Sequence, residues 1–344
     1  MARKVKRAVT PRGFRMPAEF EPHQATWLAW PHEKSDWPGK FEPIPWLYGE
    51  IVRHLARVER VLIIVAGAAA ENSVRRILRK CHADLDMVGF FHAPTNRSWT
   101  RDYGPLFVKN ARGAKAISHW RFNGWAKYDN FEHDAQLPRK IATALSLPVF
   151  ETGLVLEGGS IDVNGAGKLL TTEECQLSNV QPRNPGVSRR PLERAFKTNL
   201  GVGEVIWLGR GIAGDDTHGH VDDIARFTDA NTVVAAIEPD KGDPNHEPLK
   251  ENLARLRARD ELRVVTLPMP EPVHFNGQRL PASYANFYIA NRIVLVPTFA
   301  DPNDRVAANT LARLFPDRQV IGIPCRDLVL GLGTLHCMTQ QQPL

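Results

Sequence analysis

One pattern of extended and helical segments recurs five times along this chain of 344 residues. In the fourth unit, an extended stretch and a turn lead to the apolar run TVVAAI, the helical stretch EPLKENLARLRARDE and a last extended run, LRVVTLP. Leu249, Leu253 and Leu256 recur at the spacing of one helix face, whereas the apolar runs have the length of strands. The fifth unit repeats this order, and the other three follow it more loosely. Five units of roughly 60 residues each account for nearly all of the chain.

The repeated unit predicts an α/β fold, and two arrangements fit it equally well. Five units can close into a ring of similar blades, or they can alternate in an ordinary doubly wound sheet. Neither arrangement leaves a segment for a second domain. We therefore expect a single catalytic domain over residues 16–344, preceded by a basic, frayed tail over residues 1–15. The tail has no apolar stretch behind its charges, so it does not have the pattern of a secretory signal.

The amino-acid composition limits the kinds of partner that the chain is expected to bind. No apolar stretch approaches the roughly 18 residues of a membrane span, so we expect no membrane partner. The formal net charge is +6, but the basic residues are scattered and form no nucleic-acid motif, so we expect no nucleic-acid partner. Four cysteines in this length do not suggest a disulfide scaffold and are typical of a reducing cytoplasm. The sequence is compatible with assembly as a homodimer.

Four polar motifs fall at the boundaries between units. They are SWTRDYGP (98–105), LEGGSID (156–162), DDTHGHVDD (215–223) and, after the fifth unit, GLGTLHCMTQQ (331–341). In a closed ring these loops would meet at one end of the axis, where catalytic groups on a rigid scaffold are expected. The predicted convergent set is Asp102, Glu157, His220, Asp222 and Cys337.

This set of groups suits a guanidinium substrate. Several carboxylates in one dry pocket repel each other, and a planar guanidinium cation relieves the repulsion because its N–H fork matches carboxylates. The thiolate of Cys337 can attack the electrophilic guanidinium carbon. His220 can protonate the departing ammonia and then deprotonate the water that cleaves the thiouronium intermediate. The pattern favours metal-free deimination.

Other classes of function stay open at this point. The segment HGHVDD nearly matches the His-x-His-x-Asp-His pattern of zinc hydrolases, but Asp223 replaces the last histidine. His246 and His274, which would have to complete such a site, have no recognisable spacing, and His218 alone is more typical of a loop. His336 directly precedes Cys337, so on an extended segment its side chain would face away and have a structural role. An amidinotransferase and a non-enzymatic binding protein are further alternatives.

Six segments together point to one known family. They are MPAEFEPHQATWLAWP, SWTRDYGP, EGGSIDVNG, DDTHGHVDD, PASYANFYIAN and LHCMTQQ, and they span residues 16–341. In these segments the chain resembles the agmatine deiminases and bacterial-type peptidyl-arginine deiminases of the guanidino-group-modifying (pentein) superfamily. The resemblance implies a five-bladed α/β propeller of pseudo-fivefold symmetry, a small cationic guanidino substrate, and neither a metal nor a cofactor.

Matched motif by motif, the resemblance assigns roles to seven residues. It implies that Cys337 is the nucleophile, that His220 is the general acid and base, and that Glu157 supports them. It places the guanidinium-binding carboxylates at Asp102 and Asp222. The remaining two substrate-binding positions are Trp99, which would form part of the pocket wall, and Asp216.

The same resemblance suggests a reaction and its alternative. It implies that agmatine and water give N-carbamoylputrescine and ammonia, a step of polyamine biosynthesis. Arginine or peptidyl-arginine, giving citrulline, is the alternative. Agmatine-specific members usually have aspartate where this chain has Arg97, and an arginine there can receive a substrate carboxylate that agmatine lacks. Leu332 also departs from the family pattern, since it interrupts three glycines usual before the nucleophile.

The predicted site also has a consequence for the nucleophile. Repulsion from Asp102, Asp222 and Glu157 raises the pKa of the Cys337 thiol, whereas protonated His220 lowers it. We therefore expect the free thiol to titrate near or above its ordinary value of about 8.5.

Overall fold

The computed structural model describes residues 11–344, so the first ten residues of the predicted tail lie outside the described residues. The strands, in chain order, are β1 (Phe14–Arg15), β2 (His23–Ala29), β3 (Arg60–Val65), β4 (Val88–His92), β5 (Leu106–Asn110), β6 (Lys115–Arg121), β7 (Val149–Val155), β8 (Asp162–Val163), β9 (Lys168–Thr172), β10 (Glu204–Leu208), β11 (Ala225–Phe227), β12 (Thr232–Ile237), β13 (Arg263–Pro268), β14 (His274–Phe275), β15 (Gln278–Arg279), β16 (Tyr288–Ile289), β17 (Ile293–Thr298), β18 (Gln319–Pro324) and β19 (Gln340–Pro343). The α-helices are α1 (Ile44–Leu55), α2 (Ala68–Lys80), α3 (Thr100–Tyr103), α4 (Glu132–Ala144), α5 (Glu173–Leu177), α6 (Arg189–Leu200), α7 (His246–Arg257) and α8 (Asn303–Leu314).

Over residues 11–344 these strands form five blade sheets and one small hairpin, β14–β15. The sheet orders are β19-β2-β3-β4, β1-β5-β6-β7, β8-β9-β10, β11-β12-β13 and β16-β17-β18. In each blade an antiparallel pair is followed by a parallel strand, for example β11–β12 and then β12–β13. The intervening helix is the crossover that parallel pairing requires. The five-bladed α/β propeller is confirmed, and a single doubly wound sheet is excluded.

The end of the chain closes the ring. Strand β19 pairs antiparallel with β2, with Gln340 opposite Trp27, so the last residues complete the first blade. That blade also gains α2 and β4, which the five-unit pattern did not include. Strand β1 pairs with β5, so regular structure begins before residue 16, the boundary that we predicted. The single catalytic domain over residues 16–344 stays a prediction.

The helices bury one face against their blades. In α7, Leu249 and Leu256 are fully buried, as their helical spacing predicts. Helix α6 ends at Gly201, whose φ of 68° lies in the left-handed region. A Cβ atom there would lie 2.5 Å from the carbonyl oxygen of Phe14, so both the backbone angle and the close approach require glycine.

A buried carboxylate joins the blades at the axis. Glu19 accepts hydrogen bonds from Arg101 Nη2 at 2.9 Å, from Arg226 Nη2 at 2.9 Å and from the backbone N–H of Ile289 at 2.8 Å. His336 Nε2 lies 2.9 Å from the same carboxylate. Burial alone would raise the pKa of Glu19, but the arginines and His336 hold it well below its usual range, so an ionised carboxylate sits among cations.

This network reaches every blade. Arg101 precedes β5, Arg226 lies in β11, Ile289 ends β16 and His336 precedes β19. Arg226 Nε also donates to Asp162 of β8 at 2.5 Å. Because buried charges are costly unless they are paired, these contacts fix the blades, and hence their boundary loops, relative to one another.

Candidate active site

The boundary loops bring five of the predicted site residues together. Asp102 lies in α3, and Glu157 directly precedes a single 3-10 turn over 158–160. His220 caps a second such turn that contains Asp222, and Cys337 lies between the fifth blade and β19. All five side chains are buried, and their polar atoms approach one another as described below.

Cys337 lies beside a carboxylate and an amide. Its Sγ atom is 3.7 Å from Asp222 Oδ2 and 3.1 Å from Asn286 Nδ2, which donates to it. The side chain is 7% exposed, enough for a thiol that contributes to the wall of a cavity. An N–H group aimed at sulfur stabilises the thiolate form over the thiol.

Asn286 is a site residue that sequence reasoning missed. Its Oδ1 accepts from Thr334 Oγ1 at 2.8 Å and from the backbone N–H of His336 at 3.0 Å. Its Nδ2 also donates to Asp223 Oδ1 at 3.0 Å. One buried amide therefore holds the segment that leads into Cys337 and links it to Asp223. The segment PASYANFYIAN was noted, but nothing in it indicated which side chain reaches the thiol.

His220 lies among three carboxylates. Its Nε2 is 3.4 Å from Glu157 Oε2, and its Nδ1 is 3.7 Å from Asp102 Oδ1 and 4.0 Å from Asp222 Oδ1. Burial disfavours the imidazolium, but Asp102, the neighbouring Cys175 and Glu157 outweigh burial and raise the pKa of His220 well above its usual value. In the free protein the imidazole is therefore charged at neutral pH and can act as an acid.

Arg183 holds Glu157 and was also missed by sequence reasoning. Its Nε lies 3.0 Å from Glu157 Oε1 and 3.2 Å from Oε2, and both side chains are fully buried. Burial would raise the pKa of Glu157, but Arg183 and His220 lower it to about 2. Glu157 is therefore ionised and orients the imidazole. Arg183 stands outside the four boundary motifs, which is why the motif argument did not find it.

Asp102 is fixed on two sides. Trp125 Nε1 donates to Oδ2 at 2.9 Å, and the backbone N–H of Gly159 donates to Oδ1 at 3.0 Å. A Cβ on Gly159 would lie 2.7–3.0 Å from polar atoms of His220, Asp102 and Asp222, so glycine lets this turn approach the site. Burial raises the pKa of Asp102 to about 6, although His220 opposes the rise.

The expectation that the His336 side chain faces away from the site was wrong. The chain turns here rather than extending, since Met338 N donates to Thr334 O and Thr339 N to His336 O. His336 Nδ1 consequently lies 2.7 Å from Asp222 Oδ2. Burial would raise the pKa of Asp222, but His336 lowers it. The predicted structural role thus extends to holding Asp222 ionised next to Cys337.

Of these groups, Asp102 and Cys337 open onto a cavity of about 360 Å³. Trp99, Asp102, Asp216 and Cys337 are among its lining residues. Trp99 packs against Trp37 with ring centroids 5.4 Å apart, which gives the cavity a rigid aromatic wall. The size is that of a small-molecule site.

Two ion pairs lie along the outer part of the cavity. Arg97 pairs with Asp36, and its guanidinium carbon lies 4.3 Å from the ring centroid of Tyr128. Asp216 pairs with Lys127 and accepts from Tyr128 Oη at 2.8 Å. Asp216, the predicted substrate-binding carboxylate, therefore has a partner of opposite charge. So does Arg97, which departs from the family pattern.

Leu332 also lines the cavity. Its φ of 67° lies in the left-handed region that favours glycine. The departure from the family pattern is thus accommodated with some backbone strain.

The histidines that a zinc hydrolase would need are scattered. His218 Nε2 contacts Ser178 Oγ at 3.0 Å, His246 Nδ1 lies 2.7 Å from the carbonyl of Glu238, and His274 is exposed. Within residues 11–344, the group with ligand-like spacing is instead Glu157, Cys175 and His220. The pairing of His218 with His220 in a metal site is not supported.

The surroundings of Cys337 predict an unusual titration. Burial, Asp222, Asp223 and Asp102 together raise the pKa of the thiol well above its usual value, against the hydrogen bond from Asn286. The direction agrees with the sequence-based expectation, although Asp223 replaces Glu157 among the causes. In a Cys81→Ser background, iodoacetamide should therefore inactivate the free protein at a rate that still rises above the ordinary thiol pKa of about 8.5. Guanidinium ion should shift this rise to lower pH, whereas a plateau below pH 7 would contradict the described environment.

The chain is similar to known proteins over nearly its whole length. The family model for Porphyromonas-type peptidyl-arginine deiminase matches residues 15–343. An agmatine deiminase from Ectopseudomonas mendocina is 36% identical over 365 residues, covering 97% of each chain. The structure of agmatine deiminase from Enterococcus faecalis superposes with a TM-score of 0.91 at 31% identity, covering 99% of each chain. A Cys-to-Ser variant of C. jejuni agmatine deiminase with substrate bound gives a TM-score of 0.87 at 31% identity, covering 96% of each chain.

Proposed function

The chain belongs to the Porphyromonas-type peptidyl-arginine deiminase family, and we propose that it hydrolyses agmatine to N-carbamoylputrescine and ammonia. The protein is an enzyme whose substrate is a small guanidino compound. Cys337 forms the covalent intermediate, and His220 transfers protons. Asp102 and Asp222 bind the guanidinium group, and Glu157 orients the imidazole.

One observation supports this reaction above others. His220 Nδ1 and Asp222 Oδ1 lie 4.0 Å apart, both are buried, and neither has a hydrogen-bond partner in the described part of the chain. Buried polar atoms normally have partners, so we expect a ligand that donates an N–H group to Asp222 Oδ1 and has a nitrogen that takes the Nδ1 proton of His220 as the reaction proceeds. A guanidinium group meets that need and places its carbon within reach of Cys337.

The first step is binding and attack. The ionised carboxylates of Asp102 and Asp222 accept hydrogen bonds from the N–H groups of the substrate. Trp99 packs against the flat face of the guanidinium group. The bound cation lowers the pKa of the Cys337 thiol, which loses its proton to solvent. The thiolate then adds to the guanidinium carbon and forms a C–S bond.

The second step releases ammonia. The imidazolium of His220 gives its proton to one amino nitrogen of the tetrahedral adduct, and the C–N bond breaks. The product of this step is a thiouronium group on Cys337, next to a neutral imidazole. Glu157, itself held by Arg183, stabilises the histidine in both states.

The third step uses water. Neutral His220 removes a proton from a water molecule as its oxygen adds to the thiouronium carbon. The hydroxyl group of the new adduct loses its proton, the C–S bond breaks, and the carbonyl of the carbamoyl product forms, while the departing sulfur of Cys337 takes up a proton. Cys337 returns to its starting state, so one water is consumed for each ammonia released.

Ammonia release from agmatine, arginine and an arginyl peptide tests the substrate assignment. We expect kcat/KM to be highest for agmatine, because its far end carries no carboxylate. Formation of the urea-type product without any added amine would exclude an amidinotransferase. Faster turnover of arginine or the peptide would overturn the choice of agmatine.

The Arg97–Asp36 pair predicts how charge at the outer cavity affects agmatine. Replacing Asp36 with asparagine leaves Arg97 uncompensated, so KM for agmatine should rise about tenfold. Burial raises the pKa of Asp36 to about 7, so the wild-type carboxylate takes up a proton below that value. KM should accordingly rise as the pH falls through 7 in the wild type, whereas Asp36→Asn should keep only the later rise near pH 6 that follows from protonation of Asp102. Ser35→Ala, a neutral change in the same cavity lining, is the matched control. Equal KM values for Asp36→Asn and the wild type would contradict this account.

Within residues 11–344, no helix has the length and apolar character to cross a bilayer. A cytoplasmic location, assembly as a homodimer and a place in polyamine biosynthesis stay predictions.

A further inference from the structure

A buried thiol that the mechanism does not use lies behind the catalytic histidine. Cys175 lies in α5 and is fully buried. Its Sγ is 3.9 Å from Glu157 Oε2, and Glu157 Oε2 is 3.4 Å from His220 Nε2. The three ligand atoms lie within 4.8 Å of one another. They offer sulfur, nitrogen and oxygen, which is a donor set typical of protein zinc sites.

The spacing agrees with tetrahedral coordination. Zn²⁺ binds thiolate at about 2.3 Å and imidazole or carboxylate at about 2.0 Å, so neighbouring ligands should be about 3.3 Å apart for N and O and about 3.5 Å apart for S and O. The observed separations of 3.4 and 3.9 Å for two of the three ligand pairs are close to these values, and the thiol-to-imidazole separation is within 4.8 Å. We propose that Cys175, Glu157 and His220 form an inhibitory binding site for Zn²⁺.

A neighbouring buried side chain has an unpaired polar atom. Gln176 is buried, and its Oε1 has no hydrogen-bond partner among the residues described. Its Nε2 lies 3.9 Å from Cys175 Sγ, so the amide already borders the thiol. The Nε2 group also donates to Ser160 Oγ at 3.0 Å, and the unpaired buried oxygen on a side chain that borders Cys175 is a second observation that points to a ligand.

The charges around the site favour a cation despite Arg183. Glu157 shares its carboxylate with that guanidinium, which reduces the affinity for a metal. Against this stand the thiolate that binding creates and the carboxylates of Asp102 and Asp222, both near His220 Nδ1. Asp102 also lines the cavity, so its carboxylate attracts cations to the side of His220 that faces the cavity.

Occupation of this site would stop turnover by engaging the proton-transfer machinery. His220 Nε2 and Glu157 would be held by the metal, so the imidazole could not cycle between its charged and neutral forms. Cys337 and the guanidinium-binding face of Asp222 would stay free. The metal would therefore act as a reversible inhibitor with no part in the reaction.

Co²⁺, a spectroscopic substitute for Zn²⁺, tests the site without any need for turnover. In the Cys337→Ser variant, which lacks the cavity thiol, Co²⁺ should give a thiolate charge-transfer band, and Zn²⁺ should displace it. Removing the proposed ligand by Cys175→Ala, or by Cys175→Ser if the alanine variant does not fold, should abolish the band. The Cys81→Ser variant, altered at a thiol outside the site, should retain it. Absence of the band in Cys337→Ser, or its persistence without Cys175, would overturn the proposal.

The inhibitory consequence rests on the proposed function and is measured separately. Within each variant, turnover of agmatine with Zn²⁺ is divided by turnover without it. We expect the concentration for half-inhibition to rise at least tenfold in Cys175→Ala relative to the wild type, and an unchanged value would overturn the proposal. If no guanidino compound is turned over at all, the Co²⁺ spectrum still decides whether the metal site exists.

Discussion

Replacement of Cys337 by serine is expected to lower kcat for agmatine by roughly 10⁴-fold or more, since the covalent route is lost with the thiolate. The substitution keeps the size and polarity of the side chain, so the bonds from Asn286 and the cavity wall should persist. Steady-state ammonia release measures the loss. Binding of agmatine, measured by calorimetry, should change by less than tenfold because Asp102 and Asp222 are untouched.

The matched control is Cys81→Ser. Cys81 is only partly buried and follows α2, away from the cavity lining, so kcat should stay within about twofold of the wild type. If Cys337→Ser retains more than a hundredth of the wild-type kcat, the assignment of the nucleophile fails. A loss of agmatine binding as large as the loss of kcat would instead indicate a structural effect.

Replacement of His220 by glutamine is expected to lower kcat by about 10³-fold, within the range for a general acid and base. Glutamine keeps a polar side chain beside Glu157 but cannot carry a proton between the two half-reactions. Because the imidazole serves both ammonia release and water attack, both steps should slow. Rapid-quench measurement of ammonia should therefore show no fast first turnover.

The nearby His218 provides the comparison. Its ring contacts Ser178 rather than the carboxylate cluster, so His218→Gln should keep at least half of the wild-type kcat. A metal-dependent mechanism using both histidines would make the two variants equally inactive. Equal losses would therefore contradict the assignment of His220 alone.

The strands and helices could be predicted because each unit carries its own local signals, whereas the choice of a ring over a doubly wound sheet depended on the boundary motifs and the family resemblance. The apolar runs and the spacing of Leu249 and Leu256 define strands and helices independently of the rest of the chain. The closing strand β19 could not be recognised in the same way. Its sequence, QQQP, is polar, and its pairing with β2 joins the two ends of the chain. The periodicity of apolar residues carries no information about a contact between residues so far apart in the sequence.

The candidate site was predictable to the extent that its residues occupy boundary motifs. Asp102, Glu157, His220, Asp222 and Cys337 stand in four such loops, and ring closure alone requires those loops to meet. Their roles follow from chemistry, and the described geometry supports those roles.

The residues that hold the site were not predictable from the motifs. Arg183 reaches Glu157 from a connecting segment, Asn286 reaches Cys337 from another blade, and Glu19 joins Arg101 and others at the axis. Each is a buried polar side chain whose partner is distant in sequence, and burial is what makes the pairing obligatory. A single sequence shows the residue type but not the partner, so these contacts required the three-dimensional arrangement.

Mass spectrometry of the enzyme quenched with acid during agmatine turnover tests the central claim most directly. We expect a mass increase equal to agmatine minus ammonia, that is one N-(4-aminobutyl)amidino group, located on the peptide that contains Cys337 and lost again when the substrate is exhausted. Turnover with no such adduct, or an adduct on Cys81, Cys175 or Cys325 in its place, would contradict covalent deimination at this site.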